Sequence, residues 1–168
     1  MSDHELCHGP QETERLRASI ETFARCIAAL PASSFLRAVT AWSPRDVVAH
    51  LIGWNVQTLE GCRDLLQGKA PIYLSDAADD FQHVNAVSVR RYNSTDRDVL
   101  LNQLRSTADA LLRYLEALAP RDWDRDCGVW EADGQPASIR GEIEALTADY
   151  LGHAHEVATW AQSGETTR

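Results

Sequence analysis

Apolar residues recur along this chain at alternating steps of three and four, the spacing of helices that each bury one face. Between residues 11 and 30 the stripe is Leu16, Ile20, Phe23, Ile27 and Leu30, and Pro31 ends it. A second helix is expected from Ser43-Pro44, where serine caps, proline suits the first turn and Asp46 completes a variant capping box. Its inner face carries Val48, Leu51, Asn55, Thr58, Leu59, Cys62, Leu65 and Leu66, up to a terminator at Gly68.

After a turn-rich connection, GKAPIYLSD, residues Asp79 to Tyr92 place Phe81, Val84, Ser88 and Tyr92 at helical spacing, predicting a short accessory helix. Thr95 with Asp98 offers another capping box, and Leu101, Leu104, Ala108, Leu111, Leu115 and Leu118 follow in phase until Pro120. The segment PRDWDRDCGVWEADGQPA has no sustained period, so a long structured loop is expected, with Trp123 and Trp130 covering a bundle end. Ser138 then caps a final helix with Ile139, Ile143, Leu146, Tyr150, His153, Val157 and Trp160 on one stripe. The fold class this implies is all-α: an antiparallel four-helix bundle with a short accessory helix and a long loop before the last helix.

With 168 residues, 44% of them hydrophobic, the chain is long enough for one substantial core and too short to imply two. One domain over 1–168 is expected, with 1–10 flexible and 162–168 a tail. The net charge of -9 and scattered basic residues argue against nucleic acid as a partner. Acidic residues early in the first twenty positions, and charge within every apolar stretch, argue against a secretory signal and a membrane span. Cys7, Cys26, Cys62 and Cys127 form no CxxC pair, which fits reduced thiols in a cytoplasmic protein, with Cys62 in the core and Cys127 in a loop.

Helical phase then narrows the candidate chemistry. Side chains four apart lie about 40° apart on one helix face, so Asp149 and His153 can reach one point together. His155 is rotated by roughly 200° from His153 and faces away. His50 lies on the flank of the second helix with Val47 and Trp54, where a cleft ligand or an ordinary boundary histidine would both sit. Asp46, four before His50, is a partner for its imidazole, either as structural support or behind a metal ligand. Spacing leaves these alternatives open. Trp54, Asn55, His83, Asn85 and Arg140 are candidate cleft residues, and Arg90 and Arg91 are candidate carboxylate holders besides Arg140.

The run WSPRDVVAHLIGW, the loop APRDWD and the segment ASIRGEIEALTADYLGHAHEVATW carry a resemblance. Together they resemble the DinB/YfiT-like four-helix bundle superfamily over most of the chain. The most similar branches are the mycothiol-dependent maleylpyruvate isomerase type and the ClbS/DfsB type. That resemblance implies a metal triad of His50, Asp149 and His153, with positions left open for water or substrate. Many relatives have histidine or glutamate where this chain has Asp149. The implied cofactor is a divalent metal, zinc or nickel first, together with a low-molecular-weight thiol co-substrate. The implied activity is that of a thiol-linked transferase, isomerase or hydrolase acting on a small electrophile; the alternative is a non-catalytic protein that binds a small molecule or metal. A homodimer on exposed helix faces is also expected.

Overall fold

The computed structural model describes residues 8–38, 41–76, 81–131 and 133–165. Its long helices are α1 (His8–Ala29), α3 (Pro44–Leu66), α6 (Arg97–Glu116) and α7 (Ile139–Glu165). Shorter ones are α2 (Ala32–Phe35), α4 (Ile72–Asp76) and α5 (Gln82–Arg91), with a 3-10 turn at Pro120–Asp122. Among the described residues there is no strand, only an isolated bridge from Trp130 to Pro136 within the loop before α7.

The ends of the helices show why the chain folds in these segments. Ser43 and Asp46 form a full capping box on α3, with Pro44 in its first turn. At the other end Gly68 takes φ 70°, and the amides of Gly68 and Lys69 bond to Leu65 and Asp64 in a Schellman closure. Asp96, not Thr95, caps α6: its carboxylate accepts from the amides of Asp98 and Val99 at 2.9 and 3.1 Å. A charged acceptor at a helix N-terminus outcompetes a neighbouring hydroxyl. Ser138 caps α7 through the Gly141 amide.

Each long helix turns its apolar stripe inward, and Leu16, Phe23, Val48, Leu51, Leu104, Leu111, Ile143 and Tyr150 meet in one core. The bundle closes as a ring in which α1 packs on α6 and α7, and α3 packs on α6 and α7. Side-chain pairs give the directions. Arg17 with Glu116 and Leu30 with Arg97 make α1 and α6 antiparallel, as do His50 with His153 and Cys62 with Glu142 for α3 and α7. By contrast, Asn55 with Thr107 and Arg63 with Tyr114 make α3 and α6 parallel, as do Glu12 with Arg140 and Phe23 with Tyr150 for α1 and α7. Parallel neighbours need a crossover, which the stretch carrying α4 and α5 supplies, with α5 packed along α3.

Several local expectations are corrected. The turn-rich connection contains α4. The accessory helix begins at Gln82, because Phe81 adopts φ 58° and cannot extend it; residues 79 and 80 lie outside the described set. Trp123 closes the bundle end at 2% exposure, whereas Trp130 is 63% exposed. Of the stretch expected to be flexible, residues 1–7, with Cys7, lie outside the described residues, while His8–Pro10 open α1. Within the expected tail, 162–165 continue α7 and 166–168 lie outside. Among the described residues, no helix is long and apolar enough to cross a membrane.

Candidate metal centre

The antiparallel register of α3 and α7 sets His50 opposite Asp149 and His153, so one residue of the first helix meets one turn of the second. Asp149 Oδ2 lies 3.1 Å from His50 Nε2, and its other oxygen, Oδ1, lies 3.3 Å from His153 Nε2. One donor atom from each of the three falls within 4.8 Å of the others. Trp42, in the loop before α3, packs on both imidazoles with ring centroids 4.9 Å from His50 and 6.4 Å from His153. The two imidazoles meet nearly edge to face at 5.2 Å.

The electrostatics of this group follow from its contacts. Burial works to raise the Asp149 carboxyl, yet the hydrogen bonds from His153 and His50, with their charge, outweigh it and hold the group well below its ordinary value. For His153 burial opposes protonation, but the hydrogen bonds and charge of Asp149 and Glu156 raise the imidazole above its ordinary value. Glu156, three residues on, sits 2.8 Å from His153 Nδ1 and so directs Nε2 toward Asp149.

These donors fit a divalent cation. Two imidazole nitrogens and a carboxylate suit zinc or nickel, and separations of 3.1 and 3.3 Å are close to the edge that ligands at about 2.1 Å make in tetrahedral or octahedral coordination. Glu156 behind His153 is the outer carboxylate such ligands use to fix their tautomer. His50 has no equivalent: its Nδ1 is buried without a hydrogen-bond partner. Asp46, the partner expected from spacing, is committed instead to the Ser43 cap and to an ion pair with Arg45.

Beside the triad a cavity of about 450 Å³ runs between α3, α7 and the crossover, and His50, Asp149, Trp54 and Asn85 line it. Trp54 Nε1 donates to Asn85 Oδ1 at 2.9 Å, joining α3 to α5. Three of the candidate cleft residues lie elsewhere. Asn55 is fully buried between helices, donating to Thr107 Oγ1 and the Leu104 carbonyl and accepting from the Tyr150 hydroxyl. His83 is exposed on α5, off the packed face that carries Val84 and Ser88. Arg140 is held outside the cavity by Asp124, at 2.5 and 2.8 Å, and by Glu12. Arg90 and Arg91 are exposed, as is His155.

Sequence reasoning missed Trp42, Glu156, Tyr73, Glu131 and Glu142. Glu156 had a usable signal, lying three residues after His153, and Glu142 another, lying seven before Asp149 on the same flank. Tyr73 and Glu131 sit in segments without periodicity.

The family model described as the mycothiol maleylpyruvate isomerase N-terminal domain matches residues 16–158. The chain belongs to that family. Solved structures with the fold of this isomerase-domain family include the sibling lethal factor precursor DfsB, at TM-score 0.78 and 16% identity over 94% of this chain and 97% of that one. The colibactin self-resistance protein ClbS, in complex with a dsDNA, aligns at TM-score 0.74 and 14% identity over 90% of this chain and 94% of ClbS. The mycothiol-dependent maleylpyruvate isomerase aligns at TM-score 0.72 and 12% identity over 94% of this chain, which spans 63% of that enzyme. At these identities the likeness is one of fold. No curated protein sequence matches the chain.

ClbS corrects one expectation. A bundle of this fold has been crystallised with a dsDNA, so exclusion of nucleic acid from net charge does not hold. Net charge sums the whole surface, whereas a nucleic acid meets one face of it.

Proposed function

We propose that this chain binds a divalent cation through His50, Asp149 and His153 and acts as a thiol-linked transferase, isomerase or hydrolase on a small electrophile held in the adjoining cavity. The observation that carries this reading is the meeting of three donors from two helices, of which His50 and Asp149 line a cavity of about 450 Å³. When bound there, the cation lowers the pKa of a water or thiol and supplies a nucleophile near neutral pH.

The chain's own residues do the rest. Glu156 keeps His153 in the tautomer that presents Nε2, Trp42 shields both imidazoles, and Trp54 gives the substrate a flat apolar wall. No described cysteine lines the cavity: Cys62 is buried, with its thiol pushed up by desolvation and by Glu142, and Cys127 packs beside Leu65 and Val129. A reacting thiol would therefore come from a low-molecular-weight co-substrate. The unpaired thiols of Cys26, Cys62 and Cys127 favour a reducing, cytoplasmic setting.

One observation favours a second reading, a non-catalytic binding or protective protein. Asp149 pairs with both histidines through its two carboxylate oxygens, at 3.1 and 3.3 Å, an arrangement that a purely structural ion-pair network would use as well. Elemental analysis of purified wild type, His50→Ala and His153→Ala tests the metal: stoichiometric metal in the wild type and its loss from the variants are expected, and retention by both variants removes the triad. Turnover assays on small electrophiles, with and without thiols, metals and chelator, then separate enzyme from binder. Wild-type catalysis that survives complete chelation rejects the metal mechanism.

A further inference from the structure

The cavity has a second polar end that the triad does not use. Glu142 lies two helical turns before Asp149 on α7, about 10 Å along the helix, and lines the same cavity. Tyr73, on α4, donates to Glu142 Oε2 at 2.6 Å, and no other hydrogen-bond donor engages Glu142 among the described residues. Glu131, from the loop before α7, joins it in the wall. Burial raises the Glu142 carboxyl; the Tyr73 bond opposes this, and the negative charge of Glu131 adds to it. Two carboxylates in a shielded space without a counter-charge are costly unless a cation meets them.

Two independent observations point the same way. Thr58, 2% exposed, lines the cavity one turn after Trp54, and its hydroxyl has no hydrogen-bond partner among the described residues. That hydroxyl is a ready acceptor for a ligand N–H. Part of the wall is aromatic: Trp54 meets Tyr73 and Phe81 edge to face, each at 5.4 Å, presenting π surface of the kind that receives ammonium groups. Among the described residues no lysine or arginine lines the cavity, so an anionic ligand finds no counter-charge on these side chains.

We infer that the cavity takes an amine-bearing small molecule, its ammonium held by Glu142 and Glu131 with Thr58 as a further acceptor, its other end reaching the His50, Asp149 and His153 group. The two ends are about two helical turns apart on α7, which favours an elongated molecule with its amine at one end. This inference shares its cavity with the proposed function and relies on that reading only for which end reacts.

Calorimetric titration with hexylamine, hexanol and hexanoate tests it, using full-length protein whose metal content is measured on the same samples. Glu142→Gln and Glu131→Gln, with folding checked by circular dichroism, complete the set. Hexylamine is expected to bind roughly tenfold or more tighter than hexanol, with hexanoate weakest, and Glu142→Gln to abolish most of that preference. Metal-free protein that keeps the amine preference supports this inference independently of the metal reading. Metal-loaded protein that binds hexanol as well as hexylamine, a preference untouched by both substitutions, or no hexylamine binding at millimolar concentration overturns it.

Discussion

Glu156 fixes which nitrogen His153 turns toward Asp149. Its carboxylate lies 2.8 Å from Nδ1 and leaves Nε2 facing Asp149 Oδ1 at 3.3 Å. An outer carboxylate in this position tunes a metal ligand without touching the metal. Glu156→Ala is expected to weaken cation affinity by ~10–100-fold while leaving helicity unchanged. Competition with a chelator of known affinity reads this directly, and an unchanged affinity would exclude Glu156 from the site.

The triad also sets a pH profile for metal-free protein. Asp149 is depressed, so its contribution to stability is full above the ordinary carboxyl pKa and is lost as pH falls through the lower folded value. His153 is raised, so its contribution is full below the ordinary imidazole pKa and is lost as pH rises through the higher folded value. Denaturant midpoints across pH should therefore fall at both edges, and Asp149→Asn should flatten both. A profile that Asp149→Asn leaves unaltered would sink this account.

Glu142 behaves in the opposite sense to Asp149. Its raised carboxyl favours the fold below the ordinary pKa and loses that contribution as pH rises through the folded value. Glu142→Gln keeps an acceptor for Tyr73 and removes the charge, so the melting temperature at neutral pH should rise. A lower melting temperature would show that the carboxylate is offset within the protein.

Asn55 ties three helices through Tyr150, Thr107 and the Leu104 carbonyl, all in the interior. Asn55→Ala strands the Tyr150 hydroxyl and is expected to cost about 2–3 kcal/mol. For a domain of this size that is a melting shift of roughly 4–12 °C. A shift below 1 °C would mean that water replaces the amide at no cost.

Gly53 is where α5 lies against α3: a methyl group there would overlap the Ser88 hydroxyl and Cβ. Gly53→Ala should displace α5, destabilise the protein by about 1–3 kcal/mol and loosen the cavity wall formed by Phe81 and Asn85. Faster amide exchange in residues 82–91, with α1 and α6 unaffected, is the expected signature.

Periodicity and caps made the four long helices legible, because Ser43-Pro44, Gly68 and Ser138 encode their ends locally. Phase alone brought Asp149 and His153 to one face and put His50 on a flank where a cleft ligand would sit, and the family resemblance joined the three as a triad. The other end of the cavity had no such signal. Tyr73 belongs to a five-residue helix held by tertiary contacts, and Glu131 sits in a loop that follows no period. Phe81 reads as helical by spacing but takes a left-handed backbone. For Arg140 and Asp46, sequence showed a charge but not its competitors: Asp124 claims the first and the Ser43 cap the second.

The crossover that returns the chain from the end of α3 to the start of α6 has a consequence for how such proteins diversify. His50, Asp149 and His153 lie on the bundle, while Tyr73, Leu74, Phe81 and Asn85 reach the cavity from residues 67–96. One side of the chamber is thus encoded on a stretch of chain separate from these three residues. Replacing that one stretch would recut one side of the chamber while leaving His50, Asp149 and His153 in place, an arrangement in which new pocket shapes can be tried without rebuilding the three-residue cluster.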